Sequence, residues 1–384
     1  MYDAIVVGAR CAGAPTAMLL ARRGHRVLLV DRATFPSDIP HGHYIHRGGP
    51  HCLARWGLLE RLHANRCPPV TSFTMDLGDF PLVGTSLEVD GIAMGYGPRR
   101  IILDHLLTEA AVAAGAELRV GFTVNGFEAT DGRVTGIRGR DRRSGNTVTE
   151  RAAIVVGADG RNSRLAAFVK APAQHVVAPL TCWYFSYWSG ASVPGLEVYL
   201  RGRSVIFAFP TDDSLTAVFI GWQKSELPRV RGAIEPSFLD VLGMAPSLYE
   251  RIAAGRRVER YFGATDVPNF LRRPFGSGWA LVGDAGCHKD PYLALGICDA
   301  FRDAERLADA IDAGLRGSHA MHNALAAYAG DRDAATIADY DENRALAALG
   351  PVPDHVLRMR RELRGDVEGT RQFFLGRMGP AGRA

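Results

Sequence analysis

The chain contains no C-x-x-C pair. Its six cysteines (Cys11, Cys52, Cys67, Cys182, Cys287 and Cys298) are scattered along 384 residues. That pattern argues against a zinc site and a disulfide framework and fits the reduced thiols of a cytoplasmic protein. A charge imbalance is also lacking. The 45 Lys and Arg stand against 41 Asp and Glu, for a net +4, so no nucleic-acid partner is expected. No apolar run approaches the roughly 20 residues of a membrane span, and there are no internal repeats or low-complexity segments. The first strand-like run begins at Tyr2, leaving no room for a signal peptide. What the chain does have is length, enough to bury a large core and to divide into two domains.

The stretch from Tyr2 to Asp31 organises the rest. An apolar run, Ala4 to Val7, has the character of a buried parallel strand. A glycine turn follows from Gly8 to Gly13. Ala14, Ala17, Met18 and Ala21 then recur at helical spacing. Pro15 falls in the first turn of that helix, where no amide hydrogen is needed, and Gly24 can end it. A second apolar run, Val27 to Val30, delivers Asp31 at its tip, 18 residues beyond Gly13. This is the spacing of a dinucleotide-binding unit. Amides at the helix start face a diphosphate, and the acid accepts hydrogen bonds from a ribose diol. Arg10 stands where the pattern calls for its middle glycine.

Downstream, His41, His43, His46 and His51 surround Arg47 with no cysteine or carboxylate at a ligand spacing, so no metal site is expected and the imidazoles read as solvent-facing or capping. A helix is expected near Pro50 to Ala64, short strands over residues 70 to 97, and an amphipathic helix after Arg100. Strand-like runs follow at Glu117 to Phe122, Val124 to Ala129, Val134 to Arg140, Thr147 to Arg151 and Ala152 to Val156. From about 173 to 265, aromatics crowd short alternating runs. These read as an antiparallel sheet with a helix near Pro236 to Leu242. Trp279 to Val282 returns to a buried strand, and a long helix runs through Ile297, Phe301, Ala304 and Ile311. The last 70 residues read as helical, with Arg358, Arg360, Arg361 and Arg364 on a solvated face.

Three distant strand ends share one form, each stopping at a Gly and an Asp: Gly8 with Asp31, Gly157 to Gly160, and Gly283-Asp284. Over nearly the whole chain this set resembles the FAD-dependent monooxygenase superfamily typified by para-hydroxybenzoate hydroxylase, with its geranylgeranyl reductase-like and halogenase branches. The resemblance implies an α/β fold. A Rossmann-type FAD-binding domain (1–70, 98–172 and 266–320) would carry an inserted antiparallel β-sheet substrate domain (71–97 and 173–265) and C-terminal helices (321–384). Gly8, Gly13 and the Cys11 and Ala12 amides would hold the FAD diphosphate. Asp31, with Arg32 beside it, would bind the adenosine ribose. Arg47 and Arg100 would reach the phosphate and ribityl region, Val124 the adenine, and Asp159 would brace the turn. Asp284 would accept from a ribityl hydroxyl. Pro291 and Gly296 would flank the isoalloxazine, with the helix start at Ile297 aimed at its N1 and O2.

Two positions depart from that family. Arg10 must turn away from the diphosphate or pair with it, and Cys287 stands where the family has a histidine, with His288 displaced by one. The chain carries no second glycine-rich unit for NAD(P)H, which is expected only as a transient reductant. The Trp183 to Trp188 stretch does not spell the halogenase Trp-x-Trp-x-Ile-Pro. The resemblance therefore implies hydroxylation of an aromatic or polycyclic small molecule by molecular oxygen through a flavin C4a-hydroperoxide, in secondary metabolism. The alternative is a reductase acting on an alkene or prenyl substrate. The sequence assigns neither a catalytic acid or base nor an oligomeric state.

Overall fold

Strand Tyr2–Val7 sits inside a sheet because its side chains have nowhere else to go: Ala4, Ile5 and Val6 are fully buried. In the computed structural model, which describes residues 1–39 and 41–379, it runs parallel to Val27–Asp31 on one side and to Thr147–Gly157 on the other. Positions 380–384 of the expected C-terminal segment lie outside the described residues. Glu117–Val120 extends the sheet beyond Val27–Asp31, and Trp279–Leu281 adds in parallel to the end of Thr147–Gly157. The registers place Val7 opposite both Val30 and Gly157, and Gly157 opposite Leu281. The three Gly/Asp strand ends, far apart in sequence, thus open side by side on one edge. That edge is where ligands bind in open parallel sheets.

The expected runs Thr147 to Arg151 and Ala152 to Val156 are one 11-residue strand. Its first half pairs antiparallel with Arg133–Asp141 and is mostly solvated; its second half enters the parallel sheet and is buried. No glycine or proline separates the halves, so one strand serves both. The helix expected from Pro50 to Ala64 is two, Gly49–Arg55 and Leu59–Ala64, because the chain turns at Gly57 with φ +76°.

The second sheet is built on Thr181–Ser189, Leu215–Gln223, Ser204–Pro210 and Leu196–Arg201, antiparallel in that order. Phe73–Asp76 joins its edge in parallel with Leu196–Arg201. Period-two alternation sorts the aromatics. Trp183, Phe185 and Tyr187 point to one face, while Tyr184 and Trp188 pack with Trp222 and Phe238 on the other. Three short helices, Leu227–Gly232, Ile234–Gly243 and Pro246–Ala253, cover that second face where one helix was expected.

Helix Gly296–Leu315 buries Ile297, Ala300, Phe301, Ala304, Leu307, Ala308 and Ile311, the spacing its sequence shows. Phe301 is fully buried with its ring 5.0 Å from that of Trp56, and truncation to Ala would cost about 3–5 kcal/mol. Helices Met321–Ala347, Asp354–Glu362 and Val367–Met378 follow. The last folds onto the second sheet, with Phe374 4.7 Å from Phe73. The arginine cluster of this region is not uniformly solvated. Arg360 is fully buried, bonded to the Asp79 carboxylate at 2.8 and 3.0 Å, while Arg358, Arg361 and Arg364 are exposed. Among the described residues, no helix is long and apolar enough to cross a membrane.

Candidate functional site

A cavity of about 1190 Å³ begins at the aligned strand ends and continues under the inner face of the second sheet. Gly8, Arg10, Cys11, Ala12, Asp31, Arg32, Arg47, Arg100, Val124, Asp159, Asp284, Pro291, Gly296 and Ile297 all border it. Gly13 does not. It packs instead against the Gly8 carbonyl, where a Cβ would lie 1.8 Å from the oxygen. Its part in the turn is to let helix and strand close up. Gly8 is required twice over, by φ +103° and by the Ala158 carbonyl, 2.4 Å from where its Cβ would stand.

The turn fits a dinucleotide diphosphate. Helix Gly13–Arg22 starts at Ala12 with no side-chain cap and no acid in its first turn, so its amides and partial positive charge are offered to the cavity. Asp31 is fixed by amides: Oδ2 accepts from Ala9 and Oδ1 from Ala33, both at 2.8 Å. Each oxygen keeps a lone pair. Asp159 accepts from the Arg164 amide at 2.7 Å through Oδ2, while Oδ1 is buried with no partner among the described residues. Burial raises its pKa. The Val124 carbonyl is taken by Arg164 at 3.0 Å.

Arg10 resolves its own anomaly by pairing with Asp104, a fully buried carboxylate, which also accepts three hydrogen bonds from Arg100, from Nη2 at 2.9 and 3.0 Å and from Nε at 3.1 Å. Burial opposes the charge on Arg100, and Asp104 outweighs it, holding the guanidinium protonated. Arg47 adopts φ 51°, and its Nη1 donates to both carboxylate oxygens of Asp339 on the helix Met321–Ala347 at 2.7 and 2.8 Å.

Farther along, Asp284 and Gly296 approach each other, a Cβ at Gly296 standing 3.9 Å from Asp284 Oδ1. Helix Gly296–Leu315 also starts without a side-chain cap. Between them lies a group that sequence reasoning passed over. Asp290 is 2 % exposed and borders the cavity. Its Oδ2 accepts from Thr181 Oγ1 at 2.6 Å, and Thr181 in turn accepts from Trp183 Nε1 at 2.6 Å. Burial pushes its pKa up to about 6, the range of a useful base near neutrality. The Asp-Pro pair was the available signal, but its partner Thr181 lies 109 residues away. Two residues on, the Tyr292 hydroxyl has no hydrogen-bond partner among the described residues; its ring lies 6.1 Å from Phe207, edge to face, on the cavity wall. Burial raises it to about 12 against an opposing pull from Arg377.

The histidines correct an expectation. His43 and His46 are 1 % and 4 % exposed. His43 Nδ1 lies 3.0 Å from the Gly97 carbonyl, so it must carry the proton, and Nε2 then accepts from Tyr187 at 3.0 Å. His46 Nε2 donates to the Leu293 carbonyl at 2.9 Å. Burial lowers His41, His43 and His46 to about 4, 3 and 4. No group of His, Cys, Asp or Glu among the described residues is arranged to hold a metal ion. Beyond the histidines, Trp183, Phe185, Phe207, Phe209 and Phe219 line the cavity.

Residues 1–211 match the protein family described as "FAD binding domain". Digeranylgeranylglycerophospholipid reductase of Methanosarcina mazei is 27% identical over 325 residues, 82% of this chain and 76% of that protein. Among solved structures, a myxobacterial chondrochloren halogenase aligns with a TM-score of 0.78 at 23% identity, covering 85% of this chain and 78% of its own. PqsL of Pseudomonas aeruginosa, solved with 2-aminobenzoylacetate, aligns with a TM-score of 0.73 at 21% identity over 90% and 95%. The two structural likenesses concern the fold.

Proposed function

The chain belongs to the FAD-binding domain family, and within that family of FAD-dependent enzymes we propose that it is a monooxygenase that hydroxylates an aromatic or polycyclic small molecule. The observation that carries the reading is one continuous cavity. It joins the diphosphate turn at Gly8 to an aromatic chamber walled by Trp183, Phe185, Phe207, Phe209 and Phe219. Bound FAD supplies two-electron chemistry and the activation of oxygen, with NAD(P)H as the transient reductant. The rest falls to the protein. The start of helix Gly296–Leu315 has no side-chain cap and its first-turn acid, Asp299, is paired with Lys289 and Arg302, so the helix end keeps positive potential toward the junction of turn and chamber. The aromatic walls exclude water and offer flat faces to a flat substrate. Asp290 takes a proton from a substrate hydroxyl near neutral pH, and His43 and His46, neutral there, serve as walls and hydrogen-bond partners. PqsL, which shares the fold, was solved with an aromatic keto acid.

A second reading, reduction of an alkene, is favoured by one feature: the unpartnered phenol of Tyr292, a proton donor at the cavity wall. It is also favoured by the Methanosarcina mazei reductase. One experiment separates the two. The protein is reduced with NAD(P)H without oxygen, then mixed with isotopically labelled oxygen and a panel of aromatic acids and polycyclic phenols. Labelled oxygen in the product supports the monooxygenase. Saturation of a prenyl alkene with no oxygen consumed overturns it in favour of the reductase.

A further inference from the structure

The dinucleotide fingerprint calls for glycine at position 10 so that backbone can approach the diphosphate. This chain has arginine, and the structure shows where it goes. Its guanidinium lies 5.2 Å from the centre of the Phe35 ring, donates to Ser37 Oγ at 3.0 Å and pairs with Asp104. Asp104 is already bidentate to Arg100. Two guanidiniums on one carboxylate leave this triad with a surplus positive charge. The neighbouring Cys11 thiol adds no negative charge, since burial raises its pKa far above neutrality. Asp104 is fully buried, so its own charge is spent inward. Arg10 and Arg100 both border the cavity beside Gly8 and Ala12.

We infer that Arg10 is a diphosphate-binding residue: the Arg10–Asp104–Arg100 triad supplies as side-chain charge what the glycine fingerprint supplies through backbone contact. The shared carboxylate holds both guanidiniums at the turn before the ligand arrives, so little side-chain freedom is lost on binding. Through Phe35 and Ser37 the same side chain ties the segment after Asp31 to the turn, which closes one flank of the cavity. The inference rests on FAD as the cofactor and concerns its diphosphate alone.

The test uses the full-length protein and three variants: Arg10→Gly, which restores the fingerprint; Arg10→Met, which keeps the stem against Phe35 without charge; and Arg10→Lys, which keeps the charge. Dissociation constants for FAD are measured by flavin fluorescence, and those for ADP and riboflavin by competition, with circular dichroism confirming each fold. Arg10→Gly and Arg10→Met are expected to weaken FAD and ADP about tenfold or more, leave riboflavin within twofold, and lessen the salt dependence of FAD binding. Arg10→Lys is expected to stay within about threefold of the parent for all three. Unchanged or tighter FAD binding in Arg10→Met, or an equal loss for ADP and riboflavin, would overturn the inference. If Arg10→Gly does not fold, the contrast between Met and Lys decides. A parent protein that binds no FAD would sink the cofactor assignment itself, a separate result.

Discussion

Acidifying the protein from pH 7 to pH 5 tests the buried imidazoles directly. An unfolded histidine titrates near 6.5, whereas burial lowers His43 to about 3 and His46 to about 4. Between those values the unfolded chain takes up a proton that the folded chain refuses, so stability falls as pH falls. The loss is about 1.4 kcal/mol per pH unit below 6.5 for each group. At pH 5 it reaches about 2 kcal/mol per histidine, whatever the folded value, provided that it stays at or below about 4. Two such groups remove about 4 kcal/mol, a large share of the 5–15 kcal/mol of a typical domain.

Asp290 works in the opposite sense. Its pKa is raised, so its contribution is full below about 4 and is lost as pH rises through about 6. Differences between variants cancel it. Urea unfolding of FAD-saturated protein at pH 7, 6 and 5 is compared for the parent, His43→Gln and His46→Gln. Glutamine keeps a donor for the Gly97 or Leu293 carbonyl without a charge to gain. Each variant should lose about 2 kcal/mol less than the parent between pH 7 and pH 5. Parallel pH dependences for parent and variants would refute the burial argument for the histidine replaced.

Gly13→Ala should abolish FAD retention and lower the melting temperature, since its Cβ would stand 1.8 Å from the Gly8 oxygen; a yellow protein of parental melting temperature refutes it. Asp31→Ala removes the acceptor of the Ala9 and Ala33 amides. It should weaken FAD by one to two decades, about 1–3 kcal/mol, as read by flavin fluorescence. The parent's turnover should rise through about pH 6, and Asp290→Asn should flatten that rise with FAD affinity unchanged; an unaltered pH profile refutes the base. Tyr292→Phe leaves the ring in place and removes only a hydroxyl with no hydrogen-bond partner among the described residues. It should cut the rate of alkene reduction about tenfold or more if the second reading holds, and leave stability within about 0.5 kcal/mol.

What could be read from the sequence was chemistry concentrated within a few residues. The turn from Gly8 to Gly13, the acid at Asp31 and the Gly283-Asp284 strand end each announce themselves locally, and pairing Val7 with Gly157 and Gly157 with Leu281 brings them to one edge. The missed groups owe their character to partners distant in sequence. Asp290 is an ordinary surface residue type until Thr181 and burial act on it. His43 looks like a loop imidazole until Tyr187, 144 residues on, closes over it. Arg360 belongs to a basic run until Asp79 draws it inside. Burial, which sets all three, is a property of the assembled sheets and not of any window of sequence.

The same contrast explains how the cavity divides its labour. At the turn, backbone amides and the Arg10–Asp104–Arg100 triad create positive potential. Under the second sheet the low-dielectric walls act on whatever polar group is left among them. They drive His43 and His46 to neutrality and lift Asp290 toward neutral pH. The aromatic chamber therefore makes its own acid–base pattern: burial removes the histidines as proton donors and leaves Asp290 as the group poised to exchange a proton at pH 7. On the proposed function, the pH dependence of a reaction in this chamber is expected to follow Asp290, held by its hydrogen bond from Thr181.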